Sequence, residues 1–117
     1  KARRYRIRNY LPFNASVHKV YEKETAAGKI KLLEDTIIKH FRNDLFKFLE
    51  IEVTGFEVRL LDILKLDQKR LSYKSHHYLP FDLVFSLNVN LPQYLALGNG
   101  KAFGFGILEE YLLPANY

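Results

Sequence analysis

The residues of this chain best suited to chemistry fall in two places. Gly98, Asn99, Gly100, Lys101, Gly104 and Gly106 share one short stretch, and Arg4, Arg6 and Arg8 alternate along another. The first, LALGNGKAFGFGILEEY from Leu95 to Tyr111, holds four of the chain's six glycines, and its Lys101 is the only Lys or Arg after Lys74. Glycine opens backbone angles closed to other residues, lets a ligand approach the main chain, or supplies flexibility. The spacing is not the G-x-G-x-x-G dinucleotide fingerprint, and no G-K-[S/T] is present as in a phosphate-binding P-loop. The stretch leads into a strand, so no helix N-terminus is on offer for phosphate. Two readings remain open: a tight turn with a bulged strand, or bare N–H groups and Lys101 facing an extended anion. Such donors contact phosphates but carry no sequence information by themselves.

Arg4, Arg6 and Arg8 occupy the even positions of RRYRIRNYLPF, with Tyr5 and Ile7 on the odd ones. Like charges on one strand face need an anion or neighbouring acids to compensate them, and both solutions are open. The arginines are therefore secondary candidates for phosphate contact. Tyr5 and Tyr10 are aromatic platforms on which unpaired bases could stack, although Tyr5 shares the apolar side with Ile7.

The four histidines offer little catalysis. His40 sits in a helical pattern as a boundary residue, and His18, beside Lys19, is a minor candidate for touching RNA or helping catalysis. His76 and His77 are adjacent, so in a strand they point to opposite faces and suit no shared metal. No Ser-His-Asp order or paired acid motif stands out, so no residue is assigned as catalytic and none as a metal ligand.

The 117 residues suit one domain, and 48% hydrophobic with 15% aromatic content argues for a folded globule. There is no cysteine, which removes disulfides, thiolate nucleophiles and Cys-based zinc sites and fits a reducing cytoplasm. No apolar run nears the roughly 20 residues of a membrane span, and nothing resembles a signal peptide. Without any methionine, a chain beginning at Lys1 is expected to be a piece of a longer protein. The net charge of +5 points to a polyanionic partner, nucleic acid above all.

These candidates need elements to position them. Alternation predicts a first strand over Arg3–Phe13, which Pro12 ends or places at an edge. Residues Asn14 to Gly28 lack clean periodicity and read as a loop with at most a helical turn. From Lys29 to Leu49, Ile30, Leu33, Ile37, Phe41, Leu45 and Phe48 recur three or four apart, widened by Ile38 and Leu49, which predicts one amphipathic helix. Strands are expected over Gly55–Leu66, Leu79–Val89 and Phe105–Leu112. DQKRLSYKSHHY makes a loop or hairpin end between the first two, and NLPQYLAL holds one short or degenerate helix. The order matches an α+β ferredoxin-like βαββαβ sandwich.

ALGNGKAFGFG resembles the C-terminal glycine-rich loop of CRISPR-associated RAMP proteins, most nearly that of the Cas-six endoribonucleases. Gly98 and Gly104-Phe105-Gly106 flank a five-residue core, Asn99 to Phe103, while Ala96 stands where the family has its first glycine. YRIRNYLPFN, KIKLLEDTIIKHF and LPFDLVFSLNVNLPQYLALG are similar to the start, first helix and later part of that family's C-terminal domain. The resemblance implies two ferredoxin-like domains in tandem, of which residues 1–117 would be the second. It implies an RNA-contacting glycine loop and cleavage without metal or other cofactor, in which a 2′-hydroxyl attacks the adjacent phosphate and leaves a cyclic 2′,3′-phosphate. The principal histidine would lie in the first domain. The implied partner is CRISPR repeat RNA. Other CRISPR-associated proteins and a homodimer are compatible, and no membrane is implied. Two alternatives are a non-catalytic RAMP scaffold subunit of a CRISPR effector complex, and a regulatory or oligomerisation module without nucleic acid.

Overall fold

The computed structural model describes residues 3–66, 71–73, 76–78, 80–89, 91, 95–98 and 106–111. Strand β1 (Arg3–Tyr10) leads through α1 (Ala15–Lys23) to α2 (Ala26–His40), which runs on through a π-helical turn (Phe41–Leu45) into α3 (Phe46–Phe48). Beyond it come β2 (Val58–Leu66), a small antiparallel hairpin of β3 (Leu71–Tyr73) and β4 (His76–Tyr78), β5 (Phe81–Leu87) and β6 (Ile107–Glu110). The main sheet has the order β2-β5-β1-β6, every neighbour antiparallel. Leaving the hairpin aside, the long strands stand in the order second, third, first, fourth with the helices between first and second. This is the ferredoxin-like arrangement, and the hairpin occupies the expected loop between the second and third strands. Of the short helix expected in NLPQYLAL, Asn90 and residues 92–94 lie outside the described residues, and Leu91 and Leu95 are not helical.

β1 obeys its alternation as far as Arg8, after which the bulge at Asn9 turns Tyr10 inward. Tyr5, Ile7 and Tyr10 are buried, and they pack with Leu83, Phe85 and Leu87 of β5 and Leu108 of β6 against Leu33, Ile37, Phe41, Leu45 and Phe46 of the helical layer. Burial of these apolar side chains, at about 1.5–3 kcal/mol each, supplies most of the driving force. No helix among the described residues is long and apolar enough to cross a membrane.

The structure corrects the expected helices in two ways. Residues 15–23 form a nine-residue helix, capped where Asn14 Oδ1 accepts from Val17 N at 3.0 Å. Its buried face is His18 and Tyr21, which join Phe13 and Phe81 in an aromatic cluster instead of forming an aliphatic stripe. The long helix begins at Ala26, where Thr25 Oγ1 accepts from Gly28 N at 3.1 Å. Its stripe holds at Leu33, Ile37, Phe41 and Leu45, but Phe48 is 81% exposed and Phe46 is buried instead. The cause is the π turn, in which Phe46 N bonds to Phe41 O. One extra residue rotates the succeeding helical turn by about 100°.

Phe46→Ala should therefore cost about 3–5 kcal/mol, whereas Phe48→Ala should stay within about 0.5 kcal/mol of the parent. Urea unfolding of both variants checks this, and equal losses would contradict the π turn.

Candidate nucleic-acid interface

The glycine stretch is anchored at both ends. Leu97 N donates to Gly106 O at 2.9 Å and Leu108 N to Leu95 O at 2.6 Å, with Ala96 bridged antiparallel to Ile107. Residues 95–97 thus extend the sheet beyond β6, and the segment between Gly98 and Gly106 is closed at its base. Gly106 N in turn donates to the carbonyls of Arg8 and Asn9, each at 3.0 Å, which ties the loop base to the end of β1. Both boundary glycines have left-handed backbone, with φ +86° at Gly98 and +71° at Gly106. A Cβ on Gly98 would come within 2.6 Å of the Tyr10 ring, and one on Gly106 would overlap the Leu97 carbonyl oxygen. Ala96 has no such backbone, so position 96 does not itself require glycine. Asn99, Gly100, Lys101 and Gly104 lie outside the described residues.

The arginines share the open face of β1, opposite the core. Acids from neighbouring strands meet two of them. Arg6 donates to Asp82 at 3.1 Å, and Arg8 donates to Glu109 at 2.7 Å. On the first residue of the strand, Arg3 pairs with Glu110 at 2.8 Å. Asp82 also accepts from Asn9 N at 3.1 Å, where Asn9 at φ +48° bulges the strand. Arg6 is thereby held, although its Nε is buried without a hydrogen-bond partner among the described residues. Arg8 is half exposed, and an ion pair of that kind contributes at most about 1 kcal/mol, so it constrains the side chain only weakly. Arg4 is exposed and has no ion-pair partner among the described residues.

The tyrosines singled out for stacking are not available to bases. Tyr5 is 2% and Tyr10 0% exposed. Tyr5 Oη accepts from Leu91 N at 3.0 Å, and Tyr10 Oη shares a hydrogen bond with His40 Nδ1 at 2.5 Å. Burial, with the Asp44 carboxylate adding to it, pushes the Tyr10 phenol well above its usual range. His18 is buried, with Nε2 3.3 Å from Glu22 Oε1. His18 and His40 are thus both engaged within the fold. The structure unites Gly98, Gly106 and Arg8 at one corner of the sheet and leaves Arg4 toward the other end of the strand.

The family model described as the Cas6b C-terminal domain matches residues 1–111. The chain belongs to this family. Its fold is similar to the crystal structure of Cas6b, with a TM-score of 0.78 at 20% identity over 95% of this chain and 56% of that one. It is also similar to the crystal structure of the CRISPR RNA processing endoribonuclease Cas6b, with a TM-score of 0.77 at 20% identity, covering 95% and 55%. The chain spans little more than half the length of either structure. Among curated proteins none matches it. In this Cas6b C-terminal domain, then, Gly98 and Gly106 are both required by the fold itself.

Gly106→Ala combines left-handed backbone with a backbone clash and should cost about 3 kcal/mol or more. Gly55→Ala, at φ +63° with nothing within 4 Å of its Cβ, should lose only the backbone part. Chemical denaturation of the pair measures the difference, and equal losses would show that the loop base is not as tightly closed as the contacts imply.

Proposed function

We propose that this Cas6b C-terminal domain is the RNA-holding half of a two-domain, metal-independent CRISPR precursor-RNA endoribonuclease acting in the cytoplasm. The backbone from Gly98 to Gly106 and Lys101 would clamp the phosphodiester chain of CRISPR repeat RNA, and Arg4, Arg6 and Arg8 would continue the contact along β1. The observation that carries this reading is the tie between Gly106 N and the Arg8 and Asn9 carbonyls, which brings Gly106 to the Arg8 end of β1. Support also comes from one structural neighbour, a CRISPR RNA processing endoribonuclease.

Cleavage by a 2′-hydroxyl needs a base to take its proton and a donor for the departing 5′-oxygen, roles suited to histidine. His18 sits in the aromatic cluster and His40 against Tyr10, so neither is offered to an RNA phosphate. The proposal places the principal base outside this chain, as the family resemblance implies. The chain itself would fix the RNA backbone, a positioning role whose strength falls with salt.

Titrating a labelled CRISPR repeat RNA with the chain tests this. With about four phosphates neutralised, affinity should fall about 50-fold between about 50 and 200 mM salt. Lys101→Ala should reduce the log–log slope by about 0.7 while leaving thermal unfolding unchanged. Failure of the parent to bind at the lowest salt would end the RNA reading.

A further inference from the structure

We propose a second RNA subsite on the open face of the sheet, built by Arg59, Ser86, Arg4 and Tyr111, that takes one phosphate and stacks the adjoining base of a single-stranded RNA. It rests on the RNA reading above but uses none of the glycine loop. Arg59 pairs in register with Ser86, and Ser86 with Arg4. Tyr111 N donates to Arg4 O at 2.9 Å, carrying the β6 ladder one residue further. The four residues therefore form one row across β2, β5, β1 and the end of β6. Each lies on the face opposite the core, because the neighbouring rows contain Val58, Leu87 and Tyr5 facing inward.

The row is chemically complete for a nucleotide. Adjacent strands stand about 4.8 Å apart, so Arg59 and Arg4 flank Ser86 across roughly 10 Å of sheet. Two arginine stems of that spacing converge on a single phosphate, to which guanidinium binds in two-pronged fashion. The Ser86 hydroxyl between them donates or accepts as required. Tyr111, partly exposed next to Arg4, supplies a ring face of the kind on which RNA-binding sheets stack unpaired bases.

Charge singles out this row from the rest of the face. Three carboxylates of the open face, Asp62, Asp82 and Glu109, belong to the rows nearer the glycine loop, where the latter two hold Arg6 and Arg8, while the exposed Glu57, two residues before Arg59, forms no ion pair among the described residues. Glu110 is committed to Arg3. Arg59 and Arg4 are both exposed, and neither forms an ion pair among the described residues. An anion is what two neighbouring guanidiniums in this position lack.

The backbone holds Arg59 in place. Asn88 Oδ1 accepts from Glu57 N at 3.0 Å, its Nδ2 donates to Gly55 O at 2.6 Å, and Glu34 Oε2 of α2 accepts from Leu60 N at 2.7 Å. These bonds bracket Arg59 on both sides, just ahead of the register shift between Leu60 and Asp62. The subsite is thus carried on strands rather than on a loop.

The test is binding of a labelled single-stranded RNA of about 12 nucleotides to the full chain across a salt series. Arg59→Ala and Arg4→Ala should each lower the log–log slope by about 0.7, and the double variant by about 1.4. Arg59→Lys should keep the slope and weaken binding severalfold. Tyr111→Ala should weaken binding about tenfold with the slope unchanged, and Tyr111→Phe should match the parent. Thermal unfolding at the parent's temperature in each variant ties the losses to binding. Parent-like binding by Arg59→Ala while Lys101→Ala is impaired would overturn this subsite and leave the loop clamp standing. The reverse pattern would establish the row and remove the clamp, and a parent that binds no RNA would overturn both.

Discussion

The register of β1 between β5 and β6 is the constraint on which the rest of the molecule depends. One central strand must present Tyr5 and Ile7 to the helices and three arginines to the other side, and only a fixed register on both flanks does so. A slip of one residue would bury Arg4, Arg6 and Arg8 in a core of phenylalanines. The cost of burying an unpaired guanidinium far exceeds any gain from alternative pairing, so the charge pattern enforces the register as strongly as the apolar pattern does. The three ion pairs, with Glu110, Asp82 and Glu109, are consequences of that register.

The same strand also sets the corner of the glycine loop. Asn9 takes up left-handed backbone, its N–H goes to Asp82, and its carbonyl accepts from Gly106. The bulge frees the end of β1 from regular pairing, and the freed carbonyls become the anchor of the loop. Tyr10, just beyond, fills the space that a side chain on Gly98 would need. Two glycines are thereby required by packing alone, which accounts for part of the cluster without any ligand. Gly100, Lys101 and Gly104 lie outside the described residues, and the proposed phosphate contact rests on them.

Much of this is legible in the residues themselves. The strand alternation around Tyr5 and Ile7, the helical stripe from Leu33 to Leu45 and the strand order need only periods of two and of 3.6. The helix over residues 15–23 is hidden because His18 and Tyr21 are polar-tipped aromatics that hydropathy does not count as a stripe. Phe46 and Phe48 trade places because a helical wheel assumes a constant turn, and the π turn is written in no local composition. The arginine partners are invisible for another reason: Asp82, Glu109 and Glu110 lie far along the chain, and only strand pairing brings them near. Arg59 and Ser86 belong to the same class. A signal is available in principle, since aligning Leu60 with Phe85 puts Arg59 beside Ser86, but that alignment needs the sheet order first.

Compensation divides the open face into two electrostatic zones. Near the glycine loop Arg6 and Arg8 each already have a carboxylate, so an incoming phosphate must displace Glu109 or share Arg6 with Asp82. Displacement leaves a carboxylate next to the new anion, and this repulsion offsets part of the gain, more so at low salt where screening is weak. Farther up the sheet Arg4 and Arg59 are exposed and form no ion pair among the described residues, so a phosphate bound there would displace no paired carboxylate. For equal geometry the upper zone would hold a polyanion more tightly per contact, while the lower zone is the more preoriented. A polyanion crossing both would be drawn first by the unpaired arginines and then fitted against the fixed ones, an order set by charge compensation rather than by the number of basic residues.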